Sequence, residues 1–282
     1  MDEKTLWVEL LGVTMAGAGE PDQGLIWTDL EGWWGIPDAR GESVSIPGGH
    51  GRFRRSHMLR EARVITLTGH IYAANNRELH EIRDRLEEAL AEGSGRMLVA
   101  TDSGAVWERW VEIDTLAIAP DRGRRWTKFT VDMLAPDPCR YGPVQTVGPV
   151  TLPTSTGGVK LPQAMPWNFG RTSGGARLVL PNAGTIPIYP RIIVSGGGHL
   201  VTVRDITANR TLRLDWTVPE GSELAFDCER RRVELEGQDV TRWLVIRQWF
   251  EVPKRATHEF RFEVEDRIGD PLMTAEYRNG AW

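Results

Sequence analysis

The sequence is poor in cysteine and has no long apolar run. Only Cys139 and Cys228 occur among 282 residues, and neither lies in a C-x-x-C pair, which excludes a disulfide scaffold and a thiolate metal site. No stretch of about 18 apolar residues appears, and the segment after Met1 lacks the basic start and apolar core of a signal peptide. We therefore expect the chain to be made in a reducing cytoplasm. We do not expect it to insert into a membrane.

An excess of one charge is also absent. The 34 Lys and Arg against 39 Asp and Glu give a formal net charge of −5, with no long run of one sign. Nucleic acid is therefore not an expected partner. The length suits two domains of ordinary size, each with its own core. The 12 tryptophans fit buried sheet faces and interfaces better than stacked sugar rings, although both uses are open.

The signatures of catalysis are missing. The six histidines form no His-Glu-x-x-His pair, no Gly-x-Ser-x-Gly elbow occurs, and Gly17-Ala-Gly19 is not followed by Gly-Lys-Ser/Thr. We predict no catalytic residue, no metal site and no cofactor. Asp215 and Asp227 remain candidates for a glycosidase site. Both lie in predicted strands, and they would suit glycoside hydrolysis if they faced each other at about 5 to 9 Å.

The first half of the chain predicts a sheet with one helix, an α+β domain. Arg63 to Tyr72 alternates apolar and polar residues as a half-buried strand does. Asn75 and Glu78 then have the spacing of a capping box. A helix of about 16 residues follows, with its apolar residues at helical spacing: Leu79, Ile82, Leu86 and Leu90.

The first half also contains our candidates for a subunit interface. Trp27, Trp33 and Trp34 offer large flat surfaces in a predicted strand or strand edge. The glycine-rich loop that begins at Ile46 carries a cluster of cations: Arg52, Arg54 and Arg55. The loop is either simply solvated or a basic arm that packs on an acidic face of a neighbouring subunit.

The first domain is predicted to end after the strand Trp126 to Leu134. Pro136 and Pro138 remove backbone donors and restrict the residues before them, so the strand cannot continue. We place the first domain at residues 1–147 and a Pro/Gly-rich connecting segment at 148–176.

Residues 177–282 show no helical pattern and predict a β-sandwich of jelly-roll type. Turn residues separate short alternating runs at roughly ten-residue spacing. The predicted strands are Arg177–Leu180, Tyr189–Ser195, Leu200–Thr207, Thr211–Trp216, Glu223–Cys228, Arg232–Leu235, Leu244–Gln248, His258–Val264 and Met273–Tyr277. The triplet Gly196-Gly-Gly198 and the sequence Gly269-Asp-Pro271 are predicted as turns.

Two sequence stretches resemble one protein family. A last strand that closes in Ala135-Pro-Asp-Pro-Cys-Arg-Tyr-Gly142, followed by a Pro/Gly segment and an all-strand second half, resembles the distal tail proteins (Dit), or minor tail proteins, of long-tailed, siphovirus-type bacteriophages. The stretch Asn182-Ala-Gly-Thr-Ile-Pro-Ile-Tyr-Pro190, with Gly221, Leu224 and Asp227 further on, resembles the galectin-like C-terminal domain of the same proteins.

The resemblance implies a structural virion protein and not an enzyme. It implies a hexameric ring at the distal end of the tail, in which the first domain forms the belt and the galectin-like β-sandwich projects outward. The implied partners are copies of the chain, the major tail tube protein and a tail-associated hub or lysin protein. The implied location is the phage tail tip, after assembly in the host cytoplasm.

Two other functions remain open from the sequence. The second domain could bind a cell-surface glycan as a tail adhesin, or the chain could be a cell-wall hydrolase. The polar motifs of galectins are absent, since the candidate strand reads His199-Leu-Val-Thr-Val-Arg204 and the spacing around Trp249-Phe-Glu251 is wrong. A galectin-like fold therefore does not imply galectin activity.

Overall fold

The structure is a computed structural model that describes residues 5–17, 24–41, 44–53, 58–120, 125–152, 155–156, 171–172 and 177–282. The chain divides into two compact units, Met1–Pro143 with Ala281–Trp282, and Val144–Gly280. Most of the predicted connecting segment 148–176 lies outside the described residues. No helix in the described ranges is long and apolar enough to cross a membrane.

The first unit combines strands with one described α-helix. Its elements are β1 (Thr5–Leu10), β2 (Val13–Ala16), β3 (Gly24–Glu31), β4 (Arg63–Tyr72), α1 (Asn76–Leu90), β5 (Ser94–Thr101), β6 (Val106–Ile118) and β7 (Trp126–Ala135), and β8 (Arg140–Thr151) begins in it. The predicted sheet with one helix is confirmed, and β4 has the predicted bounds.

The strands of the first unit close into a barrel. Each pairs with the next around the ring β1–β2–β3–β4–β7–β6–β5–β1, and all pairs are antiparallel except one parallel bridge between Ala16 and Ile26. Alternation then turns one face of every strand inward, as with Ile65 and Leu67 on β4. The sequence predicted the strands and the helix but not the closure.

Helix α1 begins where the sequence predicted it. The Asn75 side chain accepts a hydrogen bond from the Glu78 amide at 3.0 Å, and the Glu78 carboxylate accepts one from the Ala74 amide at 2.9 Å. The first bond satisfies an amide that the first helical turn leaves without an intrahelical partner, and the second ties the residue before the N-cap to the helix. The buried face of the helix joins the barrel core through Leu79, Leu86 and Leu90.

The second unit is built from strands. They are the remainder of β8, then β9 (Ser155–Thr156), β10 (Arg171–Thr172), β11 (Leu178–Pro181), β12 (Arg191–Asp205), β13 (Arg210–Leu214), β14 (Glu223–Asp227), β15 (Arg232–Leu235), β16 (Gln238–Asp239), β17 (Leu244–Arg247) and β18 (Thr257–Ala281). A 3₁₀ turn at Thr241–Trp243 precedes β17. The mostly β fold that we predicted is confirmed.

Two long strands are shared by both sheets of the second unit. Residues 191–195 of β12 pair with β14 and with the end of β18, whereas residues 201–205 pair with β13 and the start of β18. Side chains from both sheets, such as Val194 and Val203, belong to one core. The sheets therefore face each other as a sandwich.

The turns predicted at Gly196–Gly198 and Gly269–Pro271 are wrong, because β12 and β18 run through both places as continuous strands. The register between them shifts near Gly197, and Gly196 and Gly198 take φ of +117° and +147°. Glycine permits that backbone, so a triplet that is typical of a turn here lets one strand bend between two sheets.

Candidate assembly surface of the first unit

A long excursion leaves the barrel between β3 and β4, and we call residues 36–60 the arm. Its two sides pair by backbone hydrogen bonds from base to tip: Arg40 to Leu59 at 2.8 Å, Phe53 to Val44 at 3.0 Å and Ile46 to Gly51 at 3.2 Å. The Glu61 amide closes the base by donating to the Asp38 carbonyl oxygen at 3.0 Å. The described residues of the arm, 36–41, 44–53 and 58–60, thus form a paired hairpin.

The arm exposes large apolar side chains. More than half of the surface of each of five side chains is open to solvent: Ile36, Val44, Phe53, Met58 and Leu59. Single exposed apolar residues are normal on a protein, whereas several on one hairpin make that surface a candidate for contact with another protein.

The arm is also basic. Residues 36–60 contain five arginines and two acidic residues, although the whole chain is acidic. Arg52 is exposed, and the Arg60 guanidinium donates to the Pro37 carbonyl oxygen at 3.0 Å near the base. The arm therefore combines apolar area with positive charge.

Arg63 anchors the chain where it enters the arm. Its guanidinium donates to the carbonyl oxygens of Gly32 at 2.6 Å, Trp34 at 2.9 Å and Gly35 at 2.8 Å. The side chain is buried, and desolvation lowers the pKa of Arg63. One cation thus holds three backbone carbonyl groups of the segment 32–35.

Arg109 lies behind this anchor in the barrel interior. Its guanidinium stacks 4.4 Å over the Trp33 ring and donates to the carbonyl oxygens of Trp33 at 2.5 Å, Pro138 at 3.2 Å and Cys139 at 3.3 Å. Burial, together with the nearby cations Arg63 and Arg140, lowers the pKa of Arg109 to about 9. The group is therefore still charged at neutral pH.

Arg140 completes the arginine cluster. Its guanidinium lies 4.5 Å from the Trp34 ring and 5.1 Å from the Trp107 ring, and it donates to the backbone oxygen of Trp282. The stretch Ala135–Gly142, which suggested the family, thus has a structural role. It supplies Arg140 and two of the carbonyl groups that Arg109 binds.

Asp137 gives this stretch its turn. One carboxylate oxygen accepts from the Cys139 amide at 2.9 Å, and the other accepts from the Tyr141 hydroxyl at 2.7 Å. The two prolines around Asp137 end β7, as predicted, and the side-chain bonds of Asp137 direct the chain into β8.

The structure separates the predicted interface residues. Arg52 is exposed on the arm, and Trp27 and Trp34 are partly exposed. Trp33 is fully buried within its own chain, so its indole has no surface to offer a neighbour. Arg54 and Arg55 lie outside the described residues.

Sequence reasoning missed the two buried arginines, Arg63 and Arg109, and the half-buried Arg140. The available signal was the alternation of inward and outward residues along each strand. Arg109 falls on the same face of β6 as the buried Val111, and Arg63 falls on the same face of β4 as Ile65. An arginine at an inward position predicts a buried cation that needs several acceptors.

The two acids that we kept open for hydrolysis have separate partners. Asp215, after β13, lies 3.4 Å from the Nε2 atom of His199, whereas Asp227, on β14, lies 3.9 Å from Arg230 and accepts from the Arg230 amide at 2.9 Å. Their strands pair with different parts of β12, residues 201–205 for β13 and residues 191–195 for β14. In the part of the chain that is described, no group of three or more His, Cys, Asp or Glu could hold a metal ion.

No protein-family model and no curated protein matches the sequence. Among solved structures, the SPP1 Dit protein (gp 19.1), described as a paradigm of the hub adsorption apparatus of phages that infect Gram-positive bacteria, aligns with a TM-score of 0.65 at 12% identity. That alignment covers 99% of each chain.

The phage P2 baseplate in its activated conformation also contains a similar chain. In the structure with calcium, the TM-score is 0.52 at 7% identity over 98% of both chains, and with strontium it is 0.51 at 9% identity over 96% of this chain and 97% of the other. The galectin-like description of the second unit stays a prediction. The resemblance to distal tail proteins is confirmed at the level of the fold, and the chain has the Dit fold from end to end.

Proposed function

We propose that this chain is a structural protein of a bacteriophage tail tip. Six copies would form a ring that joins the major tail tube protein on one side to a tail-associated hub or lysin protein on the other. The observation that carries the proposal is the end-to-end likeness to a phage hub protein. The arm supports it, because it gives the first unit a surface that a monomer has no reason to expose.

The arginine cluster suits such a scaffold. Arg63 and Arg109 fix the turn 135–142 and the segment 32–35 that leads into the arm, by hydrogen bonds to backbone oxygens. Arg140 adds a contact with the Trp34 ring. A rigid base positions the arm at a small loss of conformational entropy on binding, which strengthens an interface. In this proposal the free energy used is that of assembly, and no covalent bond changes.

A glycan-binding adhesin is the second candidate, and one observation in the second unit favours it. Trp216 and Trp243 lie with their ring centroids 4.8 Å apart, Trp243 is 38% exposed, and the Arg242 guanidinium lies 5.0 Å over the Trp243 ring. An exposed indole beside a hydrogen-bond donor can stack on a sugar ring. The ring proposal ranks first because the fold likeness covers the whole chain.

Light scattering coupled to size-exclusion chromatography tests the ring, and a glycan array tests the alternative. A particle with the mass of six copies that binds no glycan supports the ring. A chain that stays monomeric over a wide concentration range contradicts it. Glycan binding that is lost in Trp243→Ala and kept in Trp110→Ala would support the adhesin instead.

A further inference from the structure

The outer wall of the barrel carries a surface that complements the arm. On β4, β6 and β7, outward residues form a patch that we call the strip: Val64, Trp110, Glu112, Asp132 and Leu134. Leu134 pairs across the sheet with Val64 on one side and with Glu112 on the other, so these three form one continuous row.

The strip is apolar and carries carboxylates, and the exposed Arg96 of β5 lies opposite Trp110 at its edge. Val64 is 63% exposed and Trp110 54% exposed, which is unusual for large apolar side chains on a sheet face. Hydroxyls on both neighbouring strands hold the Asp132 carboxylate, because Thr66 donates to it at 2.7 Å and Thr115 at 3.2 Å. Glu112 and Asp114 are exposed next to it on β6.

The arm of the same chain does not cover this patch, as the exposure of Val64 and Trp110 shows. We infer that the strip receives the arm of a second copy of the chain. The described residues of the arm offer apolar side chains such as Phe53 and Leu59 next to the exposed cation Arg52, and the strip offers apolar side chains with carboxylates. Apolar area supplies affinity, and opposite charge supplies the register.

The contact has a consequence for symmetry. Arm and strip are different patches, so the interface is heterologous, and every added copy presents a new free arm and a new free strip. Repetition closes into a ring if the rotation per copy divides a full turn. The inference rests on the proposed ring and names the two surfaces that would join its subunits.

Disulfide capture between two singly substituted chains tests this directly. Phe53→Cys is mixed with Val64→Cys, or with Trp110→Cys, and the mixture is mildly oxidised. Because each chain carries one new thiol, a bond between the new positions joins two copies. We expect the dimer yield to exceed that of a Phe53→Cys and Val179→Cys mixture at least about tenfold, since neighbouring thiols have a high effective concentration.

Charge reversal is the second part of the test. Arg52→Glu and Glu112→Arg are each expected to weaken assembly at least about tenfold, because like charges then meet at the contact. The double variant is expected to return to within about threefold of the natural chain, because the pair is restored with its sign reversed. Arg255→Glu, an exposed change in the second unit, is the control and is expected to have no effect.

The outcomes separate this inference from the ring itself. Oligomers of the natural chain without capture at either strip position, or without rescue in the double variant, overturn the contact between arm and strip and leave the ring standing. Monomers at every concentration overturn both.

Discussion

The Arg109 guanidinium stacks on the Trp33 ring and also binds the Trp33 backbone oxygen. One buried cation therefore fixes the side chain and the main chain of the residue that leads into the arm. Arg109→Leu would leave three carbonyl groups without this donor, and we expect it to destabilise the first unit by about 3 kcal/mol or more. Arg109→Lys should cost less, because an ammonium group still reaches some of these acceptors.

Amide hydrogen exchange of β6 and β7 measures this loss within the first unit. Arg96→Leu is the matched control, since Arg96 is exposed on β5, and it should change stability by less than about 0.5 kcal/mol. Equal protection in Arg109→Leu and Arg96→Leu would contradict a structural role for the cluster.

Gly69 is required where β4 crosses the barrel core. A Cβ atom there would lie 2.4 Å from the Phe129 ring and 2.5 Å from the Ile26 carbonyl oxygen. We expect Gly69→Ala to destabilise the barrel by about 1 to 3 kcal/mol through overpacking. Gly104→Ala has a positive φ but open space, so its cost should stay near about 1 kcal/mol. Thermal unfolding ranks the two variants, and the reverse order would contradict the close approach.

Asn182 explains part of the second sequence signature. Its buried amide nitrogen lies 2.9 to 3.0 Å from the carbonyl oxygens of Ile186, Val252 and Pro253, so its two hydrogens serve three acceptors and one hydrogen is shared. Its side-chain oxygen accepts from the Gly184 amide at 2.8 Å. Asn182→Ala should destabilise the second unit by about 2 to 3 kcal/mol, because four backbone groups lose a partner. Urea unfolding measures it, and an unchanged midpoint would contradict the role.

The thiols provide a test of pH dependence. Burial raises the pKa of Cys139 and of Cys228 to about 12, with Asp137 adding to the shift at Cys139. We expect both thiols to react with iodoacetamide much more slowly than free cysteine at pH 8, because the thiolate is the reactive form. Rapid labelling of the folded chain would contradict this burial.

The same raised pKa values predict how the stability of the fold changes at alkaline pH. An unfolded thiol ionises near pH 9 and a folded one near 12, so the stability that comes from keeping the thiols neutral is complete below pH 9 and declines between pH 9 and 12. Urea midpoints should fall more in this window for the natural chain than for Cys228→Ala. Parallel curves would argue against a neutral buried thiol.

Local features of the fold could be predicted from the sequence, because they depend on neighbours in the chain. The alternation of β4 and the cap at Asn75 each place a signal within a few residues of the structure that it determines. Gly196–Gly198 misled us, because glycine permits both a tight turn and a bent strand. Only the pairing of β12 with β18 distinguishes the two.

Long-range relationships could not be predicted from the sequence. Closure of the barrel requires β6 to pair with β5 and with β7, and no pattern within one segment records that. Trp33 is buried because the barrel closes. One of the three tryptophans that we predicted at a subunit interface therefore belongs to the core instead. The arm was recognised by its charge, whereas its apolar exposure became visible only in the folded chain.

Electron microscopy of phage particles labelled with an antibody against this chain tests the proposed role most directly. The tail-tip proposal predicts label at the end of the tail that is farthest from the capsid, and none along the tube or on the capsid. Particles without label, or label that follows the whole tube or the capsid, would contradict it.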